Sequence, residues 1–238
     1  TGYMIPKKIH YCWFGMAEKP KLAKKCIESW KKYCSDYEII EWNEKTFDVN
    51  ANQYTKYCYE HKKWAYLSDY VRLAVVAEHG GIYFDTDVEV VRSFDDLLEY
   101  EAFYGFENDQ YVASGLGFGA EAQHKTILAM LEEYHLLNFD ENGDLAFIGC
   151  PILNTKALVK LGLKENGKLQ NVAGAEILPI RFFNPYENST GKLNVQKDTY
   201  SIHWYAKSAL DWKAKARSKI TQPIHRIFGE DCFKRFRR

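Results

Sequence analysis

Residues 64–91 read WAYLSDYVRLAVVAEHGGIYFDTDVEVV. Leu67, Val71, Ala74 and Val75 recur at helical spacing, which predicts a helix over Trp64–His79 stopped by the Gly80-Gly81 pair. The period then changes. From Gly80 to Val91 the alternation predicts one strand, with Ile82, Phe84, Thr86 and Val88 on one face and Tyr83, Asp85 and Asp87 on the other. Upstream, Met4–Phe14 reads as a first strand, with Ile9, Tyr11 and Trp13 alternating against His10 and Cys12 until Gly15 ends it. A helix follows over Leu22–Tyr33 and a short strand over Tyr37–Trp42. Strand, helix and strand in that order predict an α/β protein with a partly parallel sheet. The second half is less regular: strands are expected at Ala102–Phe106 and Ser114–Gly119, and helices at His124–Leu137 and Ile152–Leu161.

The composition removes several classes. With 46% hydrophobic and 27% charged residues in 238, the chain is neither disordered, collagenous nor a coiled coil. Thirty-two basic residues balance thirty-two acidic ones, so no overall field draws in nucleic acid, and none is expected as a partner. No apolar run approaches the 18 or so residues of a membrane span, and no signal-peptide layout is present, which makes a cytoplasmic protein the expectation. Thr1, Gly2 and Tyr3 precede Met4 and read as a cloning remnant. Cys12, Cys26, Cys34, Cys58, Cys150 and Cys232 show no zinc spacing and read as reduced packing residues. One domain is expected over residues 1–212. The tail from Lys213 to Arg238 differs, with nine Lys/Arg against Glu230 and Asp231, interleaved with Ile220, Ile224, Ile227, Phe228, Phe233 and Phe236. That pattern suits reversible peripheral contact with an anionic membrane face; the alternative is a packed helix with a solvated basic side.

Three groups of residues could carry chemistry. Asp85 and Asp87, two apart on a strand, would stand about 6.7 Å apart on one face and could converge on a hard cation. The competing reading is a solvated turn between two short strands. Asp69 and Arg72 are three apart on the long helix, away from its apolar stripe, either as functional partners or as an ordinary surface ion pair. Trp13 falls at the carboxyl end of the first strand, where open α/β sheets place ligands, although a lone Trp there also suits the core. Near the other end, SIHWYAKSALDW (residues 201–212) brings together His203, Trp204, Ser208 and Trp212.

Taken together, IPKKIHYCWFG (5–15), AYLSDYVRLAVVAEHGGIYFDTDVEVV (65–91) and HWYAKS (203–208) resemble the DXD-containing sugar transferases of glycosyltransferase family 32. That family includes bacterial capsule and lipopolysaccharide transferases and fungal mannosyltransferases, with the glucosylating clostridial toxins more distant. The resemblance is dense over Met4–Leu98 and thinner later, where FIGCPILNTKAL (147–158) resembles a family segment. It implies a GT-A, Rossmann-like nucleotide-diphospho-sugar transferase fold with a central mixed sheet flanked by helices. It also implies a nucleotide-sugar donor (UDP favoured, GDP the alternative), a divalent cation, retention of configuration, and a saccharide or lipid-linked glycan acceptor.

By position, the resemblance makes Trp13 the ring that stacks on the base, with Cys12 and Phe14 alongside. Asp69 and Arg72 hold donor-sugar hydroxyls, and Tyr83 neighbours the ribose or phosphate. Asp85, Asp87 and His203 bind the metal, with Trp204 and Ser208 near the β-phosphate. Asp85, Asp87, Asp69 and Arg72 are the catalytic set. Two oxygens and one imidazole favour Mn²⁺ over Mg²⁺. Ile202 before His203 and Ala209 after Ser208 depart from the family pattern, leaving the roles of Ser208 and Trp212 open. No nucleophile can be named. Two other readings compete: a haloacid-dehalogenase-like phosphatase, opposed by Val88-Glu89 and the upstream SDYxR, and a non-catalytic carbohydrate-binding relative using the abundant Trp and Tyr.

Overall fold

The computed structural model describes residues 2–206 together with Gln222, Pro223, His225 and Arg226. Its first half runs β1 (Lys8–Cys12), α1 (Lys21–Tyr33), β2 (Glu38–Trp42), α2 (Gln53–Glu60), α3 (Trp64–His79), β3 (Gly81–Tyr83), β4 (Val88–Val90), β5 (Ala102–Gly105) and β6 (Phe118–Ala120). The second half runs α4 (Lys125–His135), α5 (Cys150–Lys160), β7 (Gln170–Val172), β8 (Ala175–Leu178), β9 (Tyr186–Glu187), β10 (Lys192–Leu193) and β11 (Ser201–His203). Seven strands among the described residues form one sheet in the order β2-β1-β3-β6-β5-β8-β7. β1 is parallel to β2 and β3, and β5 to β8, while β6 and β7 run antiparallel to their neighbours. The expected mixed sheet with flanking helices is present.

Alternation along the strands gives the sheet two buried faces, because helices cover both. Ile9, Tyr11, Ile82 and Phe103 pack with Trp30 of α1 on one side, and Cys12, Tyr83 and Tyr104 pack with α2 to α5 on the other. α3 forms over the expected residues, but it is enclosed almost all round, with Leu67, Val71, Leu73, Val75 and Val76 all buried. Gly80 ends it at φ +66°, donating its N–H to Val76 O at 2.8 Å. At Gly81 a Cβ would lie 2.8 Å from Lys8 O, so glycine is what lets β3 come in against β1.

The expected continuous strand over Gly80–Val91 is corrected. It is two strands joined by a turn at Phe84–Asp87, closed by Val88 N–H donating to Asp85 O at 3.0 Å. β3 belongs to the main sheet, whereas β4 leaves it and pairs antiparallel with β11, Val88 opposite His203. Trp30 fixes this departure, donating from Nε1 to Val88 O at 2.8 Å. Ile82, Phe84 and Val88 still share one buried cluster, but Thr86 sits in the turn and is only half-buried. Elsewhere, Ser114–Leu116 is a 3-10 turn preceding β6 where one strand was expected, and α2 and the β9–β10 hairpin add elements. Five cysteines are free and buried, as expected; Cys232, Ser208, Trp212 and all of the tail but Gln222, Pro223, His225 and Arg226 lie outside the described residues, and of these four Gln222 and Arg226 donate to Asn188 O and Thr190 O at the β9–β10 hairpin.

Candidate active site

Because α3 returns directly into β3 through two glycines, its amino-terminal half lies beside the carboxyl ends of β1 and β3. Cys12, Trp13, Tyr83 and Asp85 emerge there. Asp69 and Arg72 are not a surface pair: they are 8% and 3% exposed, since α3 is covered on the side expected to face solvent. Arg72 Nη2 lies 2.6 Å from Asp69 Oδ1 and 3.4 Å from Asp85 Oδ1, and its Nε donates to Ser68 O at 3.0 Å. The Tyr83 hydroxyl donates to Asp85 Oδ1 at 2.8 Å, and the guanidinium stands over the Tyr83 ring at 5.0 Å.

The turn that breaks the strand carries Asp85 and Asp87, and the β4–β11 pairing brings His203 to them from 116 residues further along. One donor atom from each of the three lies within 4.8 Å of the others. His203 Nε2 is 3.2 Å from Asp87 Oδ1. Asp87 Oδ2 accepts from Ala206 N–H and its carbonyl from Trp204 N–H, both at 3.0 Å, which ties the segment after β11 to the acidic turn.

Three carboxylates facing one guanidinium and one imidazole in a buried pocket leave excess negative charge. Burial pushes the Asp69 carboxyl up to about 6 even with Arg72 beside it. Burial also raises Asp85, with Asp87 adding to the shift. Asp87 moves down despite burial, because His203 and its hydrogen bonds favour the carboxylate; His203 moves up in turn, burial being outweighed by Asp87. Among the described residues, His203 Nδ1 and Arg72 Nη1 are shut off from solvent without a hydrogen-bond partner, and Asp87 Oδ1 has only the His203 ring beside it. Unfilled buried polar valence of this kind costs about 1–3 kcal/mol per group. Two carboxylates and an imidazole whose ligand atoms lie this close fit a divalent cation.

A wall that the sequence did not suggest closes the pocket. From α5, Asn154 Oδ1 accepts from Ser114 N–H at 3.0 Å and Thr155 Oγ1 from Val112 N–H at 2.9 Å. Those bonds press Gly115 against the ion pairs, where a Cβ would lie 2.9 Å from Arg72 Nη1 and 3.0 Å from Asp85 Oδ2. The Cys150 amide at the start of α5 also favours the Asp69 carboxylate. The one available signal was a fully buried Asn-Thr pair on an otherwise apolar helix face.

Of the other expected residues, Trp13 is half-buried at the end of β1, its Nε1 donating to Ala17 O at 2.7 Å and Lys19 over its ring at 5.7 Å. Cys12 and Phe14 are buried beside it, with the Cys12 thiol pushed up to about 12 by burial. The Trp204 ring packs on Tyr186 at 5.1 Å and its Nε1 donates to Glu89 at 3.3 Å.

Residues 20–104, which include both Asp69/Arg72 and the acidic turn, match the family described as "Glycosyltransferase sugar-binding region containing DXD motif". That match takes in 85 of the 238 residues. The chain is also 29% identical over 106 residues to inositol phosphoceramide mannosyltransferase 3 of Schizosaccharomyces pombe, covering 42% of this chain and 29% of the relative. It therefore spans less than a third of that relative's length. Among solved structures, the PaToxG glycosyltransferase superposes with a TM-score of 0.48 at 17% identity, over 66% of this chain and 69% of the other. A glycosyltransferase involved in glycosylation of the major capsid of PBCV-1 superposes with a TM-score of 0.47 at 10% identity, over 90% and 98% of the two chains.

Proposed function

We propose that the protein is a retaining, metal-dependent glycosyltransferase of GT-A architecture, related to family 32. It moves a hexose from a nucleotide diphospho-sugar, preferentially a UDP-sugar, to a saccharide or lipid-linked glycan in surface polysaccharide synthesis. The observation that carries this reading is the convergence of Asp85, Asp87 and His203 beside the buried Asp69–Arg72 pair, with His203 Nδ1 and Arg72 Nη1 unpartnered among the described residues. Asp85, Asp87 and His203 would hold Mn²⁺ or Mg²⁺, which supplies Lewis-acid stabilisation of a leaving diphosphate.

The chain's own residues supply orientation. Trp13 offers a ring for the base at the carboxyl edge of β1. Asp69 and Arg72, fixed to each other, present a rigid acceptor and donor pair to sugar hydroxyls. Tyr83 and Gly115 hold Asp85 in place from either side, and Gly115 keeps the pocket open by having no side chain. The phosphatase alternative needs a free nucleophilic first aspartate, whereas Asp85 is engaged by both Arg72 and Tyr83.

In this proposal the catalytic domain runs through residue 212, and the basic tail rests on the cytoplasmic face of the membrane near a lipid-linked acceptor. Among the described residues, no helix is long and apolar enough to cross a membrane. Thermal melts with UDP- and GDP-sugars, with and without Mn²⁺, test the reading. A ligand at 100 times its dissociation constant adds about 2.7 kcal/mol, so a Mn²⁺-dependent rise in melting temperature is expected with one nucleotide class. No rise with any sugar nucleotide contradicts it. Flotation with anionic liposomes at low and high salt tests the tail: salt-sensitive binding of the full chain, lost on truncation at Lys213, is expected.

A further inference from the structure

Beyond β11 the chain forms a partition. On one side of it stand Asp85 and Asp87; on the other lies a cleft of about 440 Å³ between the end of β5 and the segment leading into the β9–β10 hairpin. The His203 and Tyr205 rings meet edge-on at 4.2 Å, and the Tyr205 hydroxyl donates to Glu107 Oε1 at 3.4 Å on the cleft wall. Trp204 packs on Tyr186, which also lines the cleft. Glu107 is thus shared: it lines the cleft and feels the charge of His203.

The lining has the chemistry of a sugar site. Amides and carboxylates exchange hydrogen bonds with hydroxyl groups, and a Tyr ring offers a face to pyranose carbons. Asn184 Nδ2 is tied to Glu107 O at 2.9 Å, which fixes the amide and leaves Oδ1 buried with no hydrogen-bond partner among the described residues. The charge selects against one ligand class. Among the described lining residues, Glu107 and Glu187 face one cation, Arg181, and Arg181 is already paired with Asp198 at 2.7 Å. The described lining therefore carries a negative surplus, which disfavours phosphates and uronates.

We infer that this cleft is the acceptor subsite and that it takes a neutral saccharide, whose hydroxyls bond Glu107 and Asn184 while a ring lies against Tyr186. The inference rests on the glycosyltransferase reading and adds the acceptor's chemical class to it. Saturation-transfer NMR with methyl hexopyranosides, methyl glucuronoside and hexose 6-phosphates, in the presence of Mn²⁺ with UDP or GDP, tests it on wild type, Asn184→Ala and Glu107→Gln. The expected result is transfer to at least one neutral glycoside, none to the anionic sugars, and a fivefold or greater loss in both variants. Mn²⁺–nucleotide affinity, measured alongside, should stay within twofold in the variants, which also reports that they are folded. Equal neutral-glycoside signals in wild type and variants, or anionic sugars binding as well as neutral ones, overturn the cleft assignment while nucleotide binding stands. Failure of wild type to bind either nucleotide with Mn²⁺ overturns the glycosyltransferase reading and the cleft assignment together.

Discussion

Two clusters of carboxylate and imidazole stand at opposite ends of the sheet: Asp85, Asp87 and His203 at the carboxyl end of β3, and Glu101, Glu121 and His124 at its amino end. By donor type and spacing they are alike, each with ligand atoms within 4.8 Å of one another. Their surroundings differ. His124 caps α4: its Nδ1 is 2.8 Å from Thr126 Oγ1, which is 2.8 Å from the Tyr104 hydroxyl, so the ring's inner nitrogen is fully used. Glu101 O accepts from Glu121 N–H at 2.8 Å, closing the turn around it. Among the described residues, none of these side chains has a buried polar atom left without a partner, whereas His203 Nδ1 and the neighbouring Arg72 Nη1 are such atoms. Residue type alone therefore does not mark a site. What separates the clusters is hydrogen-bonding capacity kept buried and unfilled at a cost, which a fold retains where something else is to fill it.

The contrast breaks most visibly by neutralisation. Asp87→Asn or Asp85→Asn should lower sugar transfer at least 100-fold, about 3 kcal/mol of transition-state stabilisation, with an unchanged circular-dichroism melt. Glu121→Gln should keep the rate within twofold. A comparable loss in the Glu121 variant would make the two clusters equivalent.

Next in size, Trp13→Ala should weaken nucleotide binding by about 1–3 kcal/mol, the usual worth of a base stacked on an aromatic ring, in a fluorescence titration. His203→Ala should raise the Mn²⁺ needed for half-maximal activity about tenfold. His124→Ala should leave that titration alone and lower stability by about 1 kcal/mol, through loss of the α4 cap, in urea melts.

The smallest effect is on pH dependence. Burial holds His124 below the usual histidine range and pushes His10 down to about 4, so between that value and about 6.5 these two histidines bind fewer protons in the folded chain than in the unfolded one, while Asp69 and Asp85, raised by burial, bind more. The stability that the two histidines contribute should fall as pH drops through 6.5 and level off below about 4. Relative to wild type, His124→Ala should lose less stability on acidification, with the His10 share remaining. An unchanged slope would show that His124 titrates as it does in the unfolded chain.

What could be read from sequence was local. The helix over Trp64–His79 and the Gly-Gly stop follow from period and backbone freedom within a few residues, and both are present. The break at Phe84–Asp87 was legible only as the competing reading of a turn between two short strands, because the partner that draws β4 out of the sheet, β11, lies more than a hundred residues away. Asp69 and Arg72 were picked out by spacing, but their burial depends on the enclosure of α3 by neighbouring helices, which no helical wheel shows. Ser114 and Gly115 carried no local signal and Asn154 only that of a polar pair with Thr155 among apolar helix residues: their roles come from a loop pinned to a helix forty residues on. Glu107 becomes notable only once Tyr205 and the His203 ring are seen against it.

The most direct test is calorimetric titration of UDP and GDP into wild type and Asp87→Asn, each with Mn²⁺ and with a chelator. The account predicts that one nucleotide binds wild type only when Mn²⁺ is present and that Asp87→Asn, though folded, fails to bind it under either condition. Binding that is as tight in chelator as in Mn²⁺, or metal-dependent binding that survives intact in Asp87→Asn, would contradict it.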